Sequence, residues 1–284
     1  MPADLAGLTP LLERTAGSGE VKIGMIDGPV DTSHHDFRGA RLTEAPGASA
    51  ACREQGSPAC VHGTFVAGML AARRGSPAPA LCPECPVVVR PIFCEAADLG
   101  QCPAVTPGEL ASALRQAVDS GVRIVNLSIG LANTAVESHP ALHESFDYAF
   151  RKGVLIVAAA GNHGRISHIP LFDHPWVIPV AACDEKGNIL AGSNFGPSLG
   201  KRGLLAPGSG IRSLAPGGGY TTMSGTSVAA PFVTGTIALL WSLYPTATAE
   251  QMRSAILLPG ARRRTIIPPL LNGDASSRAL QARR

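Results

Sequence analysis

The chain carries little charge of either sign and few aromatic side chains. Of its 284 residues, 16% are charged and 5% are aromatic, and the formal net charge is +3. Proteins that bind nucleic acid normally present a concentrated basic face, whereas the basic clusters here are confined to positions 262–264 and 283–284. We therefore expect no nucleic-acid partner, and we interpret the C-terminal basic residues as a solvated tail.

The chain also lacks a recognisable export signal and an uninterrupted membrane segment. The first twenty residues contain Asp4 and Glu13 and no continuous apolar core, which predicts a cytoplasmic location. The longest apolar run covers 228–244 and is interrupted by Pro231 and Gly235. This run predicts the buried central helix of a globular domain, so we expect no membrane partner.

Cysteine, by contrast, is plentiful, with seven residues of which six lie between positions 52 and 102. Cys52 and Cys60 are spaced for a short disulfide loop, and Cys82 and Cys85 have the spacing of a metal-ligand pair. The next two cysteines follow too widely for a zinc ribbon. The residues leave three states open, namely local disulfides, free thiols and a structural zinc.

Short runs rich in Val and Ile predict buried strands at 21–26, 87–92, 122–129, 154–160 and 176–182. The runs do not alternate between apolar and polar residues, which is typical of parallel strands covered on both faces. Thr106 and Glu109 form a capping box that starts a helix, and further helices are predicted at 140–152 and 248–258.

Strands that alternate with helices predict an α/β fold of three layers, with a mostly parallel central sheet flanked by helices. We expect a single domain over 1–258, in which 1–20 is an N-terminal lead-in. The remaining segment, 259–284, is expected to be a loosely attached basic tail.

Three polar residues stand where predicted elements begin or end. Asp27 follows the first strand, His62 opens a predicted amphipathic helix, and Ser227 opens the apolar helix. A serine hydroxyl is a poor nucleophile without a base, and a helix N-terminus stabilises negative charge. Each residue alone has an ordinary structural explanation, but together they favour a catalytic chain in which Asp27 orients His62 and His62 activates Ser227.

The sequence around these residues resembles the subtilisin-like serine protease family. The similar motifs are IDG at 26–28, HGT at 62–64, NLSIG at 126–130, AAAGN at 158–162 and GTSVAAP at 225–231. They occur in the family's order and span roughly 21–258. The resemblance implies a serine endopeptidase that hydrolyses peptide bonds.

The resemblance also assigns residues to the remaining parts of such a site. It implies that Asn162 and the Ser227 N–H hold the oxyanion. Residues expected to bind the peptide substrate are Ser128, Ile129 and Gly130, as a pairing strand, and Ala158, Ala159, Ala160 and Gly161, as the wall of an apolar pocket for the residue before the cut.

No cofactor is expected, and no convincing calcium site is visible. Asp36 matches a calcium position of the family but lacks its partners, and the segment 73–80 offers few oxygen ligands, of which Ca²⁺ needs six to eight. We interpret Asp36 as a loop-capping aspartate.

A narrower resemblance rests on DGPVD at 27–31 and on LAPG at 205–208 followed by PGGG at 216–219. These are similar to the cyanobactin-type proteases that mature ribosomally made peptides, which implies leader removal from a precursor-peptide substrate. Macrocyclising members of that group carry a helical insert between the aspartate and histidine motifs, and the 35 positions from Asp27 to His62 leave no room for it. Hydrolysis is therefore favoured. The alternatives are a general degradative or processing subtilase, a peptide ligase or macrocyclase, and a non-catalytic peptide-binding module.

Overall fold

A seven-stranded parallel sheet forms the centre of the protein. The computed structural model describes residues 2–47, 51–95, 104–128, 139–257 and 265–282. The strands are β1 (Ile23–Asp27), β2 (Leu42–Glu44), β3 (Val87–Pro91), β4 (Ile124–Leu127), β5 (Leu155–Ala159), β6 (Val177–Cys183) and β7 (Leu204–Pro207). Their order across the sheet is β2-β3-β1-β4-β5-β6-β7, and every neighbouring pair is parallel.

The burial of the strands explains their composition. Every residue of β1, β4, β5, β6 and β7 is buried, as expected for strands covered by helices on both faces. The five predicted strands are present, each within a few residues of its predicted bounds. The two edge strands, β2 and β7, were not predicted. The three residues of β2 are partly or fully exposed and contain no apolar run, and β7 has only four residues, of which the last is proline.

Helices cover the sheet on both sides, which confirms the predicted α/β architecture. In chain order they are α1 (Pro2–Leu5), α2 (Thr9–Leu12), α3 (Pro58–Ala71), α4 (Pro107–Asp119), α5 (Pro140–Arg151), α6 (Pro197–Arg202), α7 (Thr226–Leu243), α8 (Ala249–Leu257) and α9 (Gly273–Gln281). Helices α3 and α7 pack against each other and the sheet, and α4 and α5 form a second such pair. An antiparallel hairpin, β8 (Ile211–Ala215) and β9 (Gly219–Met223), leads into α7.

Helix α7 is the apolar core helix that the sequence predicts. It is long and apolar enough to cross a membrane, but 83% of its apolar window is buried within the protein. It contacts β4, β5, β6 and β7 along its length. Its hydrophobicity is therefore accounted for by the sheet that it covers.

Helix α3 differs from the prediction in its start and in its surroundings. It begins at Pro58, four residues before His62, because the Ser57 hydroxyl accepts the Cys60 N–H and proline favours the first helical position. The helix is buried almost all round rather than amphipathic. His62 therefore lies inside the second turn and does not open the helix.

The C-terminal segment also differs from the expected loose tail. Within 265–282, Leu271 and Leu280 are buried, and backbone bonds join Leu205 N to Pro269 O and Leu271 N to Leu205 O. Helix α9 contacts α2, α7 and α8. The segment is thus packed onto the β7 edge of the sheet.

Candidate active site

Three elements bring Asp27, His62 and Ser227 together at the carboxyl end of the sheet. Asp27 ends β1, His62 lies in α3, and Ser227 is the second residue of α7. His62 Nδ1 is 2.6 Å from Asp27 Oδ1, and His62 Nε2 is 2.9 Å from Ser227 Oγ. Because a carboxylate can only accept, Nδ1 donates to Asp27 and Nε2 accepts the hydroxyl proton of Ser227.

Two glycines allow α3 to approach the end of β1 this closely. A Cβ on Gly63 would lie 2.3 Å from Pro29 O and 2.5 Å from Gly28 O, and a Cβ on Gly28 would lie 1.9 Å from Ala59 O. Any side chain at either position would therefore push α3 away from β1. The contact sets the distance between His62 and the strand that carries its carboxylate.

His62 lies between a buried carboxylate and solvent. Asp27 is 0% exposed, whereas the side chain of His62 is 25% exposed. Burial alone would lower the pKa of His62, but the charge of Asp27 and the hydrogen bond to it outweigh burial and raise that pKa above its ordinary value of 6.5. The imidazole is therefore a stronger base than in free histidine.

Ser227 is anchored through its carbonyl as well as its hydroxyl. In a regular helix, Ser227 O would accept the N–H four residues later, but that residue is Pro231, which has none. Ser128 Oγ donates to Ser227 O at 3.5 Å and accepts from Asn126 Nδ2 at 2.9 Å, and Thr234 Oγ1 donates to Asn126 Oδ1 at 2.8 Å. A buried polar chain thus ties the end of β4 to α7.

Asn162 lies beside the N-terminus of α7, next to the serine. Its Oδ1 accepts from Thr226 N at 2.8 Å and from Thr226 Oγ1 at 3.1 Å, and Thr226 Oγ1 accepts from Gly161 N at 3.0 Å. These bonds use the oxygen of the carboxamide and leave its NH2 group as the donor. The bonds hold this donor close to Ser227.

The other predicted substrate-binding residues lie at the carboxyl ends of β4 and β5. The alanines Ala158, Ala159 and Ala160 are buried, and β5 pairs with both neighbouring strands. Gly161 follows with φ of +93°, a conformation that favours glycine. Ser128 follows β4 and donates to Ser227 O, whereas Ile129 and Gly130 lie outside the residues that the structure describes. Contact of these residues with substrate stays a prediction.

The distinctive motifs at 27–31 and 216–219 meet in space. Asp31 Oδ2 accepts from Gly217 N at 2.8 Å, and His34 Nε2 donates to Gly219 O at 2.9 Å. The loop after β1 is thereby fastened to the hairpin that leads into α7. The sequence marked both runs as unusual but did not indicate that they bind each other.

Asp36 is a buried carboxylate at the centre of a polar cluster that reaches the surface, not the loop cap that the sequence suggested. It is 0% exposed and accepts from Arg73 Nε at 2.6 Å, from Tyr220 OH at 2.7 Å and from Ser76 Oγ. Burial would raise the pKa of Asp36, but the bonds from Ser76, Tyr220 and Arg73 and the charge of Arg73 hold it well below its usual range. Asp36 and its partners are far apart in the chain, so no local pattern could reveal the cluster.

The cysteines are partly oxidised. Cys52 and Cys60 form a disulfide, which confirms the short loop that was one of the three possibilities, and Cys94 is also disulfide-bonded. Cys82 and Cys85 are buried free thiols, and the candidate metal-ligand groups among the described residues do not include them. The expected cytoplasmic location stays a prediction, and disulfides are more usual in oxidising compartments.

Known proteins resemble this chain over most of its length. Residues 18–262 match the subtilase family, peptidase S8. Subtilisin DY of Bacillus licheniformis is 31% identical over 242 residues, which cover 83% of this chain and 82% of the subtilisin. Fervidolysin of Fervidobacterium pennivorans is 30% identical over 88% of this chain, and the match spans 38% of fervidolysin.

Solved structures give the same result. The protease domain of PatA is 32% identical with a TM-score of 0.84, and the match covers 94% of this chain and 98% of that domain. The prenylagaramide maturation protease PagA is 31% identical with a TM-score of 0.82, over 96% of this chain and 98% of PagA. The PatG macrocyclase in complex with peptide is 24% identical with a TM-score of 0.83, over 96% of this chain and 95% of PatG, and shares the fold. With a family match over 18–262 and 31% identity to a subtilisin across most of the chain, the protein belongs to the subtilase family of serine proteases.

Proposed function

We propose that the protein is a serine endopeptidase whose catalytic residues are Asp27, His62 and Ser227. The observation that carries the proposal is the unbroken hydrogen-bonded chain from Asp27 Oδ1 through both nitrogens of His62 to Ser227 Oγ. Ser227 Oγ attacks the scissile carbonyl carbon while His62 Nε2 takes the hydroxyl proton. Asp27 holds the required tautomer and stabilises the imidazolium that forms.

The negative charge that develops on the carbonyl oxygen needs donors beside Ser227. Asn162 Nδ2 and the Ser227 N–H, at the positive end of α7, are suited to this role. The tetrahedral intermediate collapses when His62 returns the proton to the leaving amine, which departs and leaves an acyl group on Ser227. A water molecule then attacks this ester and gives a proton to His62. The protonated His62 returns that proton to Ser227 Oγ as the carboxylic acid product leaves, which restores the serine hydroxyl.

The substrate is expected to be an extended peptide. The carboxyl end of β4 would pair with the peptide backbone at Ser128, Ile129 and Gly130, which recognises main chain rather than sequence. The end of β5, from Ala158 to Gly161, would form the pocket for the residue before the cut. Small side chains there suit an apolar residue of substantial size.

We further propose that the substrate is a ribosomally made precursor peptide that is cut by hydrolysis. Similarity to PagA, which is a maturation protease, and to the protease domain of PatA supports maturation. Two features favour water over an amine as the second nucleophile. In the described residues between Asp27 and Pro58, regular structure is limited to a 3₁₀ turn at His35–Phe37 and to β2, and the His62 side chain is a quarter exposed.

We propose that this activity needs no bound metal. His34, His35 and Asp36 could converge on an ion, but both His34 nitrogens are engaged by backbone groups and Arg73 already neutralises Asp36. Activity should therefore persist after dialysis against EDTA. Loss of activity that added Ca²⁺ restores would refute this proposal.

A serine-directed fluorophosphonate tests the proposed nucleophile. The wild type should be labelled, and Ser227→Ala should not be. Ser224→Ala is a matched control, because Ser224 lies three residues earlier, is exposed and only accepts a backbone bond from Gly210 N. A folded wild type that is not labelled would refute the enzyme proposal.

Mass spectrometry of the products tests the substrate class and the fate of the acyl-enzyme. A synthetic precursor with a leader and a core segment should yield linear fragments. The fragment that gains the new carboxyl terminus should be one water heavier than its cyclic form. Mainly cyclic or transpeptidated products would refute hydrolysis. Equal cleavage of casein and the precursor at many sites would favour a general degradative subtilase.

A further inference from the structure

The loop that carries Asn162 is fastened to a second segment of chain that follows β6. Phe195 N donates to Arg165 O at 2.8 Å, and Ser167 N donates to Phe195 O at 2.9 Å. Asn194 N donates to Gly161 O at 3.0 Å. Asn194 and Phe195 therefore lie along the loop on both sides of Asn162.

The side chain of Asn194 makes three further bonds to the same loop. Its Nδ2 donates to Ala160 O at 3.0 Å, and its Oδ1 accepts from His163 N at 3.1 Å and from Arg165 N at 3.1 Å. One carboxamide thus binds the backbone just before and just after Asn162. Among the residues that the structure describes, no other side chain forms hydrogen bonds to the backbone on both sides of Asn162.

The chemistry of these bonds fixes the orientation of the Asn194 amide. Two N–H groups face its oxygen and one carbonyl faces its nitrogen, so a flipped amide would place like groups together. The residue is 7% exposed, which makes an unmade bond costly. A Cβ on Gly161 would lie 2.6 Å from Asn194 Nδ2, so only a glycine with positive φ fits against it.

Asn162 is therefore held at two points. Thr226 binds its side-chain oxygen, and Asn194 binds the backbone on either side of it. Asn162 itself is exposed, and so its own packing does not hold it in place. A donor to a developing oxyanion must be correctly placed before the reaction, and a displacement of about 1 Å can cost about 100-fold in rate.

We propose that Asn194 is a positioning residue for catalysis, which acts by holding the loop that places Asn162 beside the oxyanion. Asn194 does not contact the substrate in this proposal. The proposal rests on the oxyanion role proposed for Asn162, and it adds a separate claim about which residue holds Asn162 in position. The claim extends the site from its catalytic residues to the segment after β6.

A double-mutant cycle with kcat and KM on one chromogenic peptide anilide tests this role. Asn162→Ala alone should lower kcat by about 100- to 1000-fold, a loss measured for this donor in a subtilisin. Asn194→Ala alone should lower kcat by about 10- to 100-fold with little change in KM, because a misplaced donor weakens the transition state. In the Asn162→Ala background, Asn194→Ala should have almost no further effect on kcat.

Asn188→Ala is the matched control, because Asn188 is exposed in the turn after β6 and its side chain binds only Asp184. This variant should keep the kcat of the wild type. Thermal unfolding of every variant shows whether the protein is folded at the assay temperature. If Asn194→Ala does not fold, Asn194→Asp replaces it in the cycle. Aspartate keeps the size and the acceptor for His163 N and Arg165 N, but it places a carboxylate oxygen against Ala160 O instead of a donor.

The outcomes separate the two proposals. If Asn162→Ala leaves kcat unchanged, the oxyanion role of Asn162 is wrong. If Asn162→Ala lowers kcat but the two losses multiply fully, Asn194 does not act through Asn162 and the positioning role is refuted. A folded Asn194 variant with wild-type kcat, or one that changes only KM, also refutes it.

Discussion

Replacing Gly63 by alanine is the sharpest test of how the fold sets the catalytic geometry. By helix propensity alone, the change should stabilise α3 by about 1 kcal/mol. The structure predicts the opposite, because the new Cβ would lie 2.3 Å from Pro29 O and 2.5 Å from Gly28 O. Carbon and oxygen in ordinary contact are about 3.5 Å apart, so α3 must move away from β1 by about 1 Å.

That movement directly changes the hydrogen-bonded chain from Asp27 through His62 to Ser227. The 2.6 Å bond between His62 Nδ1 and Asp27 Oδ1 would lengthen to roughly 3.6 Å, which is beyond hydrogen-bonding range. We expect kcat to fall by between about 100-fold and about 10⁴-fold. The smaller loss is typical of a misplaced catalytic group, and the larger one of a histidine without its orienting carboxylate. Overpacking should also destabilise the protein by about 1–3 kcal/mol.

The assay is the rate of fluorophosphonate labelling together with kcat on a peptide anilide, for protein shown to be folded by circular dichroism. Gly56→Ala is the matched control, since a Cβ there meets nothing within 4 Å. It should be labelled like the wild type. A folded Gly63→Ala protein that is also labelled at the wild-type rate would show that the close approach of α3 and β1 does not set the distance between His62 and Asp27.

Three further predictions follow from the charges and bonds of the structure. The acid limb of the pH profile of kcat/KM should have its midpoint above pH 6.5. Asp27 raises the pKa of His62, and only the neutral imidazole can act as a base. A midpoint at or below pH 6.5 would contradict this prediction. Asp36→Asn should destabilise the fold by about 1.5–3 kcal/mol at pH 7. The folded-state pKa of Asp36 is lowered, so its contribution is present above the unfolded value of 3.8 and is lost as the pH falls further. Urea melts should therefore show the gap between variant and wild type shrinking below pH 4, and a gap that stays constant would count against the ion pair. Replacing Cys52 and Cys60 by serine should cost about 2–3 kcal/mol for a loop of this length, and an unchanged melting temperature would argue that the disulfide does not constrain the unfolded chain.

The central strands of the parallel sheet could be predicted because they are buried on both faces. A run such as Leu155–Ala159 has no polar position, and that pattern is specific for a strand between two helix layers. The hairpin β8–β9 carries no such signal, since its second strand is only partly buried and contains Tyr220 between glycine and threonines. Its turn is hydrogen-bonded to Asp31 and His34 in the loop after β1, which is distant in sequence.

The grouping of Asp27, His62 and Ser227 could be predicted for a different reason. Asp27, His62 and Ser227 each lie in a short motif whose glycines are needed locally, as Gly63 and Gly28 show. The groups that support them are spread through the chain and depend on tertiary packing. Asn194 lies 32 positions after Asn162, and nothing in the sequence near either residue indicates that one holds the loop of the other.

The C-terminal segment was mispredicted because small residues make up most of the buried face of α9, with Leu280 as its one large apolar side chain. In α9, Ser276 and Ser277 are buried where a hydrophobic pattern would have signalled packing. Ser276 Oγ donates to Asn272 O, and Ser277 Oγ bonds to the hydroxyl of Tyr244 at 2.9 Å, so neither hydroxyl is left unpaired. A buried serine with a partner costs little, and it lets helices approach closely.

The same segment also joins the N-terminal lead-in to the core. Gly273 N donates to Ala6 O at 2.9 Å and Asp274 N to Gly7 O at 3.0 Å, while the side chain of Asn272 caps α9. The lead-in and the segment 265–282 therefore bind each other as well as the sheet. Because the β7 edge would otherwise present unpaired backbone groups, the bonds from Leu205 to Pro269 and Leu271 protect it from pairing with another chain. The basic residues at 262–264 led to the prediction of an exposed tail. Residues 265–282 are held partly by backbone hydrogen bonds, and a count of apolar residues cannot detect such bonds.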